Sequence, residues 1–129
     1  ISTATLTFDN KSKRTQFSSD IQVWTENGIT AANNKSSSRN AVADYCNPAR
    51  FYVGSNLIVN ASGNIQSIVF DCNSSSYATA LKNSIDTTAS VSVSSDRVTV
   101  TLDGNSTSFT ISKFTAQVRM DAITVTYIK

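Results

Sequence analysis

Flat aromatic side chains in the first 77 residues are the best candidates for contacts with a ligand. Trp24 closes an apolar run, Tyr45 and Tyr52 flank a segment with a proline turn, and Tyr77 follows three serines. Aromatic faces can stack on sugar rings, while amides, hydroxyls and cations fix the orientation of the ligand. Arg50 lies between Tyr45 and Tyr52 and is the candidate cation. We therefore predict a carbohydrate-binding site drawn from these five residues.

Three of the aromatic candidates also have an interpretation in terms of packing. Trp24 lies where a strand is predicted to end, and core packing is favoured over a place beside a cleft. Phe51 and Tyr52 point to opposite faces if their strand is regular, so one of them faces outward. Tyr77 leads a predicted helix and is expected to be half-buried. Exposure of at least two of the candidates on one patch would favour binding.

Catalysis is not expected, because the chain contains no histidine. This absence excludes Ser-His-Asp and Cys-His mechanisms. A pair of carboxylates could hydrolyse a glycosidic bond, but Glu26 is the only glutamate and most aspartates lie at turns or strand ends. The aspartates least explained by such roles are Asp9, Asp44, Asp71 and Asp121.

Metal binding has weak support in the sequence. Asp103-Gly104-Asn105 and Asp9-Asn10 offer the oxygen ligands that calcium prefers, although the first is foremost a good hairpin turn. A structural calcium ion therefore stays possible, and no other cofactor is expected. Cys46 and Cys72 either form a disulfide, worth roughly 3 to 4 kcal/mol, or remain half-buried thiols.

Charge argues against a nucleic-acid partner. The net charge is only +2, and no stripe of basic residues is visible. Two polar segments nevertheless carry cations: Lys11, Lys13 and Arg14 in one, and Lys35 and Arg39 in the other. If the two loops meet, these cations would suit an acidic polysaccharide. Otherwise they are solvated loop residues.

No apolar run reaches the roughly 18 residues of a membrane span, so membrane insertion is not expected. The chain enters a strand pattern within a few residues, and no charged-then-apolar leader pattern is expected from its first residues. These features predict a secreted or cell-surface module, monomeric and cut from a larger multidomain chain.

Alternation of apolar and hydroxyl side chains predicts the elements that hold these residues. Val98, Val100 and Leu102 alternate with threonines, and residues 123–127 repeat the pattern. One short helix is predicted at 76–84, behind a serine N-cap, and residues 33–40 are predicted to form an exposed loop. Strands are predicted at 4–8, 21–24, 28–31, 41–45, 50–53, 56–60, 65–71, 90–93, 97–102, 106–112, 117–120 and 122–128. The expected fold is all-β: a single antiparallel two-sheet sandwich, jelly-roll-like, spanning residues 1–129.

Several motifs resemble a β-sandwich accessory domain of secreted multidomain proteins from gut and rumen bacteria. They are TLTFDN (5–10), QVWTENGI (22–29), NPARFY (47–52), IVFDCNSSSY (68–77) and QVRMDAITVTY (117–127). The resemblance implies a noncatalytic module with an architecture similar to jelly-roll carbohydrate-binding modules. It assigns no site residues.

Two functions follow as hypotheses. The first is a carbohydrate-binding module that holds a secreted bacterial enzyme on plant cell-wall polysaccharide, raising its effective concentration there. The second is a structural or adhesive spacer of a bacterial surface or virion protein.

Overall fold

A computed structural model of the chain describes residues 1–85 and 90–129. These residues form eleven strands and one α-helix, with a single turn of 3-10 helix at Lys11–Lys13. The strands are β1 (Ser2–Thr7), β2 (Arg14–Phe17), β3 (Ile21–Glu26), β4 (Ile29–Asn34), β5 (Ala49–Phe51), β6 (Asn56–Asn60), β7 (Asn64–Cys72), β8 (Ser90–Ser94), β9 (Arg97–Thr101), β10 (Ser108–Ile111) and β11 (Val118–Ile128). The helix is α1 (Ser75–Ser84).

Two antiparallel sheets pack against each other. Sheet A has the strand order β1-β11-β7-β9-β8, and β5 pairs with β11 beside this path. Sheet B has the order β10-β6-β4-β3-β2. The prediction of an all-β, antiparallel two-sheet sandwich with one short helix is confirmed.

Strand β11 shows how side-chain alternation builds the core. Its fully buried residues are Val118, Met120, Ile123 and Val125, whereas Arg119, Asp121 and Thr124 are only partly buried. A register shift between Met120 and Ala122 interrupts this alternation. The predicted strands 117–120 and 122–128 are therefore one continuous strand with a β-bulge at Asp121.

Aromatic rings fill one region of the space between the sheets. The rings of Phe8 and Trp24 meet edge to face with centroids 5.2 Å apart, and Phe8 also meets Phe51 at 6.2 Å. The rings of Phe51 and Phe114 stack at 5.3 Å. All four side chains are fully buried. They therefore form a packed aromatic cluster on the core side of β5.

Helix α1 begins one residue before the predicted helix and ends at the same residue. The hydroxyl of its N-cap, Ser74, accepts a hydrogen bond from the Tyr77 N–H at 3.4 Å. Ala78 and Leu81 are buried in the core, and Tyr77 is half-buried, as expected from the sequence.

The structure corrects three local predictions. Residues 41–45 form no strand, although Val42 and Ala43 are buried. Strand β2 was not predicted, because Arg-Thr-Gln-Phe shows no apolar alternation. The predicted exposed loop 33–40 begins inside β4, and Asn33 and Ser38 are buried.

Candidate functional site

Strand β5 presents Arg50 to the outside of sheet A. Its neighbours Ala49 and Phe51 are fully buried, so the alternation of the strand directs Arg50 away from the core. The guanidinium carbon of Arg50 lies 3.8 Å from the centroid of the Tyr45 ring. Tyr45 is 47% exposed, so part of its surface stays open to a ligand while Arg50 lies against the ring.

Strand β11 brings a second arginine beside the first. Arg119 is the register partner of Arg50 across the β5–β11 pair, which places the two Cβ atoms roughly 5 Å apart. The guanidinium carbon of Arg119 lies 5.7 Å from the centroid of the Tyr77 ring. The backbone N–H of Asn73 donates to the Arg119 carbonyl at 2.9 Å, joining the segment before α1 to this part of β11.

These contacts create one continuous surface, which we call the tyrosine–arginine row. It consists of Tyr45, Arg50, Arg119 and Tyr77. Two arginines occupy its centre and a tyrosine lies at each end. The sequence prediction named Tyr45, Arg50 and Tyr77, and the structure brings these three together. Arg119 was missed, although its place between the apolar Val118 and Met120 signals an outward side chain.

Trp24 does not belong to this surface. It is 0% exposed and packs against Phe8 in the core, so its ring is not available to a sugar. The packing interpretation of Trp24 is the one that the structure supports, and we remove this residue from the candidate site.

Tyr52 lies outside the row as well. Its neighbour Phe51 is buried and Tyr52 is half-buried, which agrees with the prediction that the two point to opposite faces. The backbone carbonyl of Tyr52 accepts hydrogen bonds from Ser55, but within residues 1–85 and 90–129 no ring contact joins Tyr52 to the row.

The cations near the N-terminus are paired with carboxylates. Lys13 Nζ lies 2.7 Å from Asp9 Oδ1 and 2.9 Å from Glu26 Oε2, and Arg14 lies 2.6 Å from Asp44. The hydrogen bond from Lys13 lowers the pKa of Asp9, and the Thr7 N–H followed by Lys13 lowers the pKa of Glu26. This cluster has little charge left for an acidic ligand.

The other aspartates singled out from the sequence also have local partners. Asp44 accepts from Arg14, which lowers the pKa of this carboxyl, and Lys11 contributes. Asp71 pairs with Arg97 at 2.8 Å, and Asp121 accepts from Asn73 at 3.5 Å. These contacts indicate structural roles in ion pairs and strand ends.

Arg39 lines a cavity together with Lys113. This shallow cavity of about 210 Å³ is lined by Ser37, Arg39, Asn40, Val53, Gly54 and Lys113. Lys35 instead donates to the carbonyl of Ser38 at 2.8 Å. The cations of the N-terminal segment are therefore neutralised by carboxylates, and Arg39 of the other segment lines a cavity with Lys113.

Cys46 and Cys72 are both free thiols. Burial, together with the nearby Asp71, Asp121 and Asp96, raises the pKa of Cys72 to about 12. In the part of the chain that the structure describes, no three carboxylate or cysteine side chains converge on a metal position. Asp103, a candidate calcium ligand, accepts a hydrogen bond from the Asn105 N–H within its own turn.

Comparisons with protein-family models, with curated proteins and with solved structures find no match to this chain. The resemblance to bacterial accessory domains thus stays a prediction. No helix among the described residues has the length and apolar character needed to cross a membrane.

Proposed function

We propose that this chain is a noncatalytic carbohydrate-binding module, and that the tyrosine–arginine row is its binding surface. The observation that carries the proposal is the continuity of the row. Two outward arginines lie side by side on the strand pair β5–β11, and a tyrosine ring contacts each of them. Aromatic faces with a few fixed polar donors are the elements with which proteins orient sugars.

Rigidity of the supporting elements favours binding without rearrangement. Beneath Arg50, the neighbouring Phe51 is buried and stacks on Phe114. The main-chain N–H of Asn47 donates to the Phe8 carbonyl at 2.6 Å, which ties the segment after Tyr45 to the core. A surface that is already ordered loses less conformational entropy when it binds a ligand.

The proposal includes a biological setting. The module is secreted, belongs to a larger bacterial chain, and holds a partner enzyme on plant cell-wall polysaccharide. Tethering raises the effective concentration of the enzyme at its substrate without chemistry in the module itself. The lack of histidine and the pairing of Asp9 and Glu26 with Lys13 support a noncatalytic role.

A spacer function is the second candidate, and the outer face of sheet A favours it. Register pairs align hydroxyl side chains across five strands, in the row Thr3, Thr126, Ser67, Thr101 and Ser90. The Thr5 and Thr124 hydroxyls are 3.0 Å apart in the next row. This uncharged, hydroxyl-lined part of the face suits a domain that only separates its neighbours.

Affinity electrophoresis distinguishes the two functions. The isolated chain is run through gels that contain soluble xylan, glucan, mannan or pectin. A binding module is retarded by at least one polymer, and Tyr45→Ala removes most of the retardation because the stacking ring is lost. A spacer migrates at the same rate in every gel.

Phe17→Ala is the matched control for Tyr45→Ala. Phe17 is also an exposed aromatic residue beneath an arginine, with the Arg14 guanidinium carbon 4.4 Å from its ring centroid, but it lies on β2 outside the row. Retardation should survive this change. Equal loss in both variants would contradict the assignment of the site.

A further inference from the structure

Arg50 and Arg119 place two positive charges side by side without an acidic partner. They are register partners on β5 and β11. Within residues 1–85 and 90–129, neither guanidinium forms an ion pair or donates a hydrogen bond to the protein, and their contacts are with Tyr45 and Tyr77. Like charges directly opposite each other destabilise a sheet. An anion in contact with both arginines would remove that repulsion.

Several other cations of the chain have an acidic partner. Lys13 and Arg14 each have a carboxylate oxygen within 2.9 Å, and Arg97 has one at 2.8 Å. Arg97 is informative because it lies on the same sheet as the row and is the register partner of Asp71. The strand pair β7–β9 therefore provides an acid opposite its arginine, whereas the strand pair β5–β11 provides a second arginine.

We propose, on the basis of the carbohydrate-binding function above, that the row recognises an acidic polysaccharide through its carboxylate groups. A guanidinium is a planar fork that can donate two parallel hydrogen bonds to one carboxylate. Contact between its face and a tyrosine ring leaves N–H groups at the edge of the plane for the ligand. In Arg119 these are the terminal Nη groups, because its Nε is buried. A polymer of uronic acids supplies both the carboxylates and the sugar rings.

The test compares two forms of one polymer. Polygalacturonate and highly methyl-esterified pectin share a sugar backbone, but esterification blocks the carboxylates. We expect the chain to bind polygalacturonate at least about tenfold more tightly, a ratio that corresponds to about 1.4 kcal/mol. Binding should weaken as salt is raised from 0.05 to about 0.5 M, because salt screens exposed charges.

Variants of both arginines locate the effect. Arg50→Gln and Arg119→Gln should each weaken binding to polygalacturonate by about tenfold, the scale of a hydrogen bond to a charged group. Arg97→Gln is the matched control, since it removes the same charge from the same sheet and should change binding less than about twofold. Arg50→Lys keeps the charge but loses the planar fork, and an intermediate affinity is expected. A melting temperature measured for each variant confirms that it is folded.

The outcomes separate this inference from the proposed function. Equal binding of esterified and free pectin, abolished by Tyr45→Ala, would keep the carbohydrate-binding function and overturn the recognition of carboxylates. Tighter binding of dextran sulfate than of polygalacturonate would also overturn it, in favour of sulfate groups. Absence of binding to every polymer would contradict both proposals.

Discussion

Gln22 and Asn33 are register partners on β3 and β4, and both are buried between the sheets. The two differ in how their amides are satisfied. Asn33 Nδ2 donates to the Arg50 carbonyl at 3.0 Å, and its Oδ1 has no partner in the described part of the chain. Neither amide atom of Gln22 has a partner there. This difference in hydrogen bonding predicts opposite effects on stability when each residue is replaced by an apolar one.

Replacing Gln22 with methionine should stabilise the fold. Methionine has a similar length and volume, and it removes two buried polar atoms that have lost their hydrogen bonds to water. We expect the free energy of unfolding to rise by about 1 kcal/mol, measured by urea denaturation. Asn33→Leu is the contrasting variant, because it leaves the Arg50 carbonyl without its donor, and a loss of about 1 to 3 kcal/mol is expected. A loss of stability in Gln22→Met would show that its amide is satisfied.

Trp24 is the only tryptophan, so its fluorescence reports its environment without interference. Because the side chain is fully buried, acrylamide should quench the native emission weakly, and unfolding should shift the emission to longer wavelength. Saturation of the native chain with polysaccharide should leave the emission unchanged. Quenching by a polysaccharide at constant stability would return Trp24 to the binding surface. Trp24→Ala should cost about 3 to 5 kcal/mol.

The two cysteines should differ in reactivity. The pKa of Cys72 is raised to about 12 and its side chain is buried, so this thiol is protonated and shielded at pH 8. A thiol reagent should therefore label one cysteine per native chain and two after unfolding. Cys46→Ser should abolish fast labelling, and Cys72→Ser should preserve it. No labelling of the native chain, restored by a reductant, would indicate a disulfide.

Acid should destabilise the cluster around Lys13. The pKa values of Asp9 and Glu26 lie below their ordinary values of 3.8 and 4.5. Groups of this kind contribute stability that is fully present above the unfolded-state pKa and is lost as pH falls through the folded-state pKa. The melting temperature should thus begin to fall below about pH 4.5 and continue falling below 3.8.

Removing the charge of Lys13 tests whether its ion pairs cause the loss of stability in acid. Lys13→Met should flatten part of the acid branch of the melting curve, because both carboxylates lose their ion pair while Glu26 keeps the hydrogen bond from the Thr7 N–H. Lys82→Met on the exposed side of α1 is the control and should keep the wild-type profile. A Lys13→Met profile that overlays the wild type would exclude the ion pairs as the cause.

Most of the fold could be predicted from local patterns. Strand β6 was predicted with its observed bounds, because its apolar run Leu57–Val59 lies between clear turns. Strands β9 and β10 were predicted within two residues, because each alternates apolar and polar side chains. Residues 41–45 show why such patterns can mislead. Val42 is apolar and buried, but its N–H donates to the Ser19 carbonyl in a loop contact rather than to a sheet partner.

The candidate site could be predicted only in part. Aromatic type pointed to Tyr45 and Tyr77, and sequence proximity pointed to Arg50. The place of Arg119 in the site could not be predicted, because its position beside Arg50 depends on the register of β5 against a strand that is distant in sequence. Long-range register is set by the packing of the whole core, and a local pattern does not encode it.

Strand β5 has only three residues, and its pairing partner is β11. A ligand that contacts Arg50 and Arg119 together bridges these two strands and therefore opposes their separation. By mass action, the occupied site makes local opening of β5 rarer by the factor 1 + [L]/Kd. Amide protons of Ala49–Phe51 would then exchange more slowly in proportion to ligand concentration. Their exchange rate therefore reports how much of the binding site is occupied.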